Sequence, residues 1–421
     1  MKSTLAFALP LGVAVVCAAS ITARQTLDAQ APQRNVKTPI RLIGVIPIPG
    51  NPLVTSDIIW VDPGTRRLYV ADRSNFGIDI IDAENNLFVG RVTGFAGPDA
   101  ARGDPIANAT TPPPNGEGPS GVLVTPSKKV WAGDGNSTVK VADVDPASPS
   151  YLKIIQSIST AIPECGSHCD RADEMGYDPV DHIIVVANNQ PLAAAATTPP
   201  TRGNPYATFI NADTYQVLGH VTFEGATGLE QPLWVPEQRR FFISVPGYSN
   251  NRGSNGGFGE LAVIDPKSMK VEKSLKPGNC HPSAEALGPS QHVLVTCGGP
   301  VVLNAADGKI VSTITQVGGG DENWYNPGDG RFYFTSNDKS IPPVLSVGVV
   351  DAETGAWVQN VPDPGGRQAA ALPQNNHIFT LVRVTAAMVK DPSSDKTTCS
   401  QFGFKGTGCI AVFGHSEESA K

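Results

Sequence analysis

The sequence predicts an all-β protein, a single seven-bladed β-propeller over residues 40–414, closed by its N-terminal strand in the last blade. Three observations predict it. First, 43 Gly and 37 Pro in 421 residues make much of the chain turn-prone, which favours many short strands over long helices. Second, seven segments repeat one grammar: a polar lead, a short apolar run, a turn marked by proline, and a second strand rich in β-branched and aromatic residues. Third, the anchor prolines, Pro63, Pro126, Pro179, Pro236, Pro289, Pro327 and Pro373, lie about 50 residues apart on average, close to the period of a four-stranded blade.

The elements follow in order. After the anchors come "RRLYVAD", "KKVWAGD", "DHIIVVANN", "RRFFISVP", "QHVLVTCG", "GRFYFTSND" and "NHIFTLVR", each a strand by its apolar and β-branched content. A third strand often ends in Asp or Asn, and a turn and a fourth strand follow, most clearly in "IDIIDAENNLFVGRV", "LAVIDPKSMKVEKSL", "VVLNAADGKIVSTI" and "VGVVDAETGAWVQNV". Asp82, Asp265 and Asp351 therefore read as turn residues bonded to nearby backbone, not as catalytic acids. Pro/Gly-rich insertions such as "GPDAARGDPIANATTPPPNGEGP", "NNQPLAAAATTPPTRGNP" and "GYSNNRGSNGGFGE" read as surface loops shaping one rim. The seventh segment stops at a third strand, "GCIAVFG", while "IRLIGVIPIPG" at residues 40–50 precedes the first blade without a partner. Placing that strand at the outside of the last blade closes the ring and removes unpaired edges.

The strand pair ending "LYVAD" and the later "VIDPKSMKV" resemble the YncE-like, or YVTN-repeat, seven-bladed propellers of exported proteins, over residues 40–414. "RADEMGYDPVDHIIVVANN", "GLEQPLWVP" and "DENWYNPGDGRFYF" resemble a subgroup related in fold to the haem d1 propeller of cytochrome cd1 nitrite reductases. The resemblance implies the fold. It leaves the chemistry open, because such propellers include binding proteins and enzymes.

Residues 1–23 carry an early lysine, an apolar stretch and then small residues, the pattern of a secretory signal. Residues 24–39 read as a polar leader and 415–421 as a polar tail. Val16 before Cys17 does not fit a lipoprotein site, and no later apolar run is long enough to span a membrane. The protein is expected to be secreted or periplasmic, soluble and monomeric. In an oxidising compartment the remaining cysteines pair as neighbours, Cys165 with Cys169, Cys280 with Cys297, and Cys399 with Cys409. A metal site on Cys165, His168 and Cys169 is the sharper alternative, but no second Cys/His pair lies close in sequence to complete it. Asn108 and Asn136 fit the N-x-S/T glycosylation pattern.

The chemistry concentrates where the inner strands begin. Six positions before the anchors stand Asp57, Ser120, Asp173, Glu230, Ser283, Asp321 and Arg367; five before stand Ile58, Gly121, Glu174, Gln231, Ala284, Glu322 and Gln368. Equal offsets put these residues at one mouth of the channel. Carboxylates crowded there repel one another unless a cation, an arginine or protonation relieves them. Asp173, Glu174, Glu230, Asp321 and Glu322 are candidate ligands for a divalent cation, Ca²⁺ or Mg²⁺. Asp57, Arg367, Gln231 and Trp324 are candidate contacts for a small molecule. Three readings stay open: a structural network with Arg171 and Arg367 as counter-charges, a ligand or cation site, and a catalytic site. Trp324 and Tyr325 read as packing between blades ahead of a substrate platform, and Trp60, Trp131 and Trp234 near related places in other blades favour packing.

His281, in "NCHPSAEAL", pairs with Glu285 as a candidate general base; the plainer reading is a buried, hydrogen-bonded core histidine. His182, His292 and His377 share one place after the anchor turn and read as surface turn residues. No haem c motif, nucleophile elbow or nucleotide-binding fingerprint is present in the sequence. The net charge of −7 argues against a general nucleic-acid binder. The expected function is binding of a small ligand, cation or protein partner at the acidic mouth or loop-rich rim. The alternative is a metal-assisted, lactonase-like hydrolase with its active site at the same mouth.

Overall fold

Each blade grows from a hairpin folded around its anchor proline. After the proline the chain reverses through a left-handed residue: Arg66 (φ 55°), Lys128 (φ 56°), His182 (φ 54°), Arg239 (φ 53°), Gly330 (φ 71°) and Asn376 (φ 56°). Such a residue lets a short hairpin loop match the twist of its strands. The structure, a computed structural model, describes residues 38–96, 118–163, 171–189, 204–248 and 257–416.

Seven four-stranded antiparallel sheets result. Blades 1 to 6 comprise residues 59–93, 122–159, 172–222, 232–275, 284–313 and 323–362. Blade 7 takes its strands from Gly366–Leu372, His377–Val382 and Cys409–His415, and its outer strand from Ile40–Ile46. That outer strand pairs antiparallel with Cys409–His415, from Ile40 opposite His415 to Ile46 opposite Ile410. The first strands of neighbouring blades touch all the way round, so they form a closed inner ring. The closure expected from the two chain ends is therefore the one observed.

The core lies between blades. Second and third strands are buried on both faces, as in Arg67–Asp72 and Gly77–Asp82, whereas the outer strand Leu87–Thr93 is largely exposed. Tyr69, Ile78 and Ile80 of blade 1 pack on Val122 and Val130 of blade 2, and the same layering recurs round the ring. Apolar area removed from water at these faces is the dominant stabilising term.

Strand direction gives the ring two unlike faces. Inner strands run from the mouth to the anchor turn, and second strands return to the mouth. The turns closing third and fourth strands lie on the anchor-turn face. The insertions between residues 96 and 118, 163 and 171, 189 and 204, and 248 and 257 all leave from strand ends on the mouth face. So does the segment 383–408, which carries the short helix Ala386–Lys390. A Cys399–Cys409 disulfide pins that segment, and Cys280–Cys297 links the lead of blade 5 to the end of its second strand. Residues 1–37, with the expected signal, lie outside the described residues, as do Asn108, Cys165, His168, Cys169 and 417–421. The last strand runs through His415, which is buried and bonds Asp329 Oδ2 at 3.1 Å. No helix among the described residues is long and apolar enough to cross a membrane.

Candidate functional site

The inner strands bring six carboxyl groups to one mouth. Asp57, Asp173, Glu174, Glu230, Asp321 and Glu322 lie close enough for their charges to act on one another. Gly121 makes part of this room: a Cβ there would stand 2.1 Å from the carbonyl oxygen of Asp173.

The group divides into a rim and a floor. At the rim, Arg73 pairs with Asp57 and bonds Ser120 Oγ at 2.9 Å and Pro119 O at 3.2 Å. Arg171 Nε donates to Asp173 Oδ2 at 2.7 Å. Asn189 bridges Asp173 and Glu230, donating at 3.4 and 3.1 Å, and Gln368 donates to Asp321 at 3.2 Å. Burial outweighs the Arg73 charge at Asp57 and pushes its carboxyl up to about 6. Burial, then the Asp173 charge, pushes Glu230 up to about 8.

On the floor, Glu174 and Glu322 come from blades 3 and 6 and lie close enough for the Glu322 charge to act on Glu174. Both are buried. Burial first, and the neighbouring carboxylates second, hold both far above the ordinary carboxylate range. Protonation and arginines together thus relieve the crowding.

Beneath the floor two tryptophans approach one another. Trp60 and Trp324 meet edge to face, with ring centroids 5.2 Å apart and planes at 85°. They belong to blades 1 and 6, with blade 7 between them. Blade 7 offers only Ala369, Ala370 and Ala371 at this level, and Trp324 packs on Ala370. Trp324, half-buried, packs against the core on both sides of blade 7.

The pair His281 and Glu285 is not assembled. Glu285 is buried and bonds Ser244 Oγ, while His281 Nδ1 bonds Pro246 O at 2.7 Å and its ring lies beside Phe258. The two side chains take separate partners on the strand Arg240–Gly247, and no hydrogen bond joins them among the described residues. Nor is His281 a buried core histidine; it is exposed. His182 bonds Asp213 at the surface, as expected of a turn residue. His292 and His377 instead reach the neighbouring blade at Ala352 O and Asn86 Oδ1.

Arg73 and Arg383 were not anticipated. Both stand ten positions after an anchor, Pro63 and Pro373, and Asn189 does so after Pro179. That shared offset is the signal that finds them, because it marks the return of the second strand to the mouth.

Among the described residues, several buried acceptors at the mouth have no hydrogen-bond partner: Asp173 Oδ1, Glu174 Oε2, Gln231 Oε1, Glu322 Oε1 and Gln368 Oε1. Among the described residues, no group of three or more His, Cys, Asp or Glu is arranged to hold a metal ion. Asp57 and Asp173 face arginines, and Glu174 faces Glu322. A comparison with protein-family models and with curated proteins found no match. Of the resemblance to YVTN-repeat proteins, the seven-bladed propeller is what is shown.

Proposed function

We propose that this protein is an exported binding propeller that takes a small donor-rich molecule, an amine or a polyol, into the axial mouth. Glu174 and Glu322 form the floor of this site. Asp57, Asp173, Glu230, Gln231, Asp321 and Gln368 form its wall. The supporting observation is the set of buried acceptors that find no partner among the described residues, drawn from four blades and standing above the Trp60–Trp324 contact. Each such acceptor left unsatisfied costs about 1–3 kcal/mol, so a ligand that brings donors gains at several atoms at once. Export is supported by the N-terminal pattern and the two disulfides.

Melting curves of the full chain and of Glu322→Gln, with putrescine, myo-inositol, Ca²⁺, Mg²⁺ and chelator, test this reading. A ligand at 100 times its Kd stabilises by about 2.7 kcal/mol. A rise with putrescine or myo-inositol in the parent, shrunken in Glu322→Gln, supports the proposal. A rise only with Ca²⁺ or Mg²⁺, reversed by chelator, replaces it with the cation site and reopens the metal-assisted hydrolase. No shift with any probe leaves a structural network and ends the proposal.

A further inference from the structure

Beside the axial mouth lies a second cavity of about 540 Å³, within the size range of small-molecule pockets. We propose that it binds an amphipathic organic carboxylate, with the acid group held between Arg367 and Arg383. This site is separate from the mouth floor and does not depend on the function proposed there.

The cavity is built by four parts of the chain: the lead into blade 1, Leu345 at the start of the third strand of blade 6, the lead and first residues of blade 7, and the segment 383–408. Backbone bonds fix them together. Val384 N donates to Leu53 O at 3.0 Å, Arg383 N to Gly365 O at 3.0 Å, and Thr398 N to Pro364 O at 2.9 Å. Buried Asp395 accepts from the Thr397 and Gly406 amides, each at 2.8 Å, and the Cys399–Cys409 disulfide lies next to this turn. The walls are therefore held in place before any ligand arrives, which lowers the entropy lost on binding.

The lining is two-natured. Val54, Leu345, Val384 and Met388 give it an apolar body, and Arg367, Arg383 and Lys396 give it cations. Among the described residues none of these three cations makes an ion pair, and the one hydrogen bond from the Arg383 guanidinium is a 3.4 Å contact to Ser56 O. Arg367 and Arg383 are close enough to repel: burial, and then the Arg367 charge, hold the Arg383 guanidinium below its ordinary range. An oxyanion between them would relieve that repulsion through charge-assisted hydrogen bonds. Asp57 and Asp321 also act on Arg383, and Asp321 shares a smaller cavity with Arg367. These carboxylates oppose a dianion more than a monoanion, which selects a carboxylate over a phosphate monoester. The apolar walls select a hydrocarbon body rather than a bare anion.

Isothermal titration of the full chain with decanoate, decanol, decylammonium and decyl phosphate tests the proposal. Decanoate is expected to bind at least tenfold more tightly than each of the others. Arg383→Gln should weaken decanoate at least tenfold, and Glu322→Gln should leave it unchanged, which separates this site from the mouth floor. If Arg383→Gln fails to fold, Met388→Glu, which places a carboxylate in the apolar wall, carries the test and should weaken decanoate equally. Absence of decanoate binding, equal affinity for decanol, tighter binding of decyl phosphate, or an unchanged affinity in a folded variant would overturn it.

Discussion

The two faces of the ring use the same acids in opposite ways. On the anchor-turn face, Asp82, Asp143 and Asp265 are placed where backbone amides and cations reach them. Burial works upward at each, but hydrogen bonds and the neighbouring Arg67, Lys129 or Arg240 outweigh it, and their carboxyls lie below the ordinary range. On the mouth face, burial wins: Asp57, Glu174, Glu230, Glu285 and Glu322 are all raised. The difference teaches that an acid's role here depends on whether a turn or the inner ring carries it. A turn supplies donors to a carboxylate, whereas the inner ring supplies other carboxylates.

The largest expected effect comes from breaking the rim. Arg73→Met leaves Asp57 without its paired guanidinium in a buried place, and removing one partner of such a pair costs about 3–5 kcal/mol. Asp57 is already poised near pH 6, so it can take up a proton and part of the loss is recovered in acid. Urea unfolding at pH 5 and pH 8 should show the larger loss at pH 8. An equal loss at both would mean that Arg73 acts by packing alone.

Glu230→Gln sharpens the comparison through pH. The Glu230 carboxyl is raised from 4.5 to about 8 in the fold, so the folded state holds its proton where the unfolded state has lost it. Its favourable contribution is present below pH 4.5 and is lost as pH rises to about 8. The Gln variant escapes that loss. Its melting temperature relative to the parent should climb between those limits, and parallel curves would contradict the assigned direction. The turn-face acids run the other way, since a lowered carboxyl contributes above its ordinary pKa and loses that contribution as pH falls through the folded value. Acid therefore weakens one face and base the other.

The smallest effect belongs to the turn face. Asp351 Oδ1 accepts from Thr354 N at 2.8 Å and Thr354 Oγ1 at 2.7 Å. Asp351→Ala should cost about 1 kcal/mol at neutral pH, read from the urea midpoint. A change as large as that of Arg73→Met would erase the contrast between the faces.

What the chain determined by itself is the ring. The anchor prolines, the β-rich runs after them and the two incomplete ends specify seven blades and their closure, because strand periodicity and turn chemistry are local. Equal offsets from the anchors also bring Asp57, Asp173, Glu174, Glu230, Asp321 and Glu322 together, because repeated blades place equal positions at equal heights. The tertiary structure decided the partners within that ring. Arg73 meets Asp57 along the return of a second strand, Trp60 meets Trp324 past the alanines of blade 7, and Glu174 lies within reach of the Glu322 charge. It also gave His281 and Glu285, expected to meet near the channel, separate partners in Pro246 and Ser244. These contacts depend on blades distant in sequence and on how far burial strips water from each group, and neither quantity is written in local pattern.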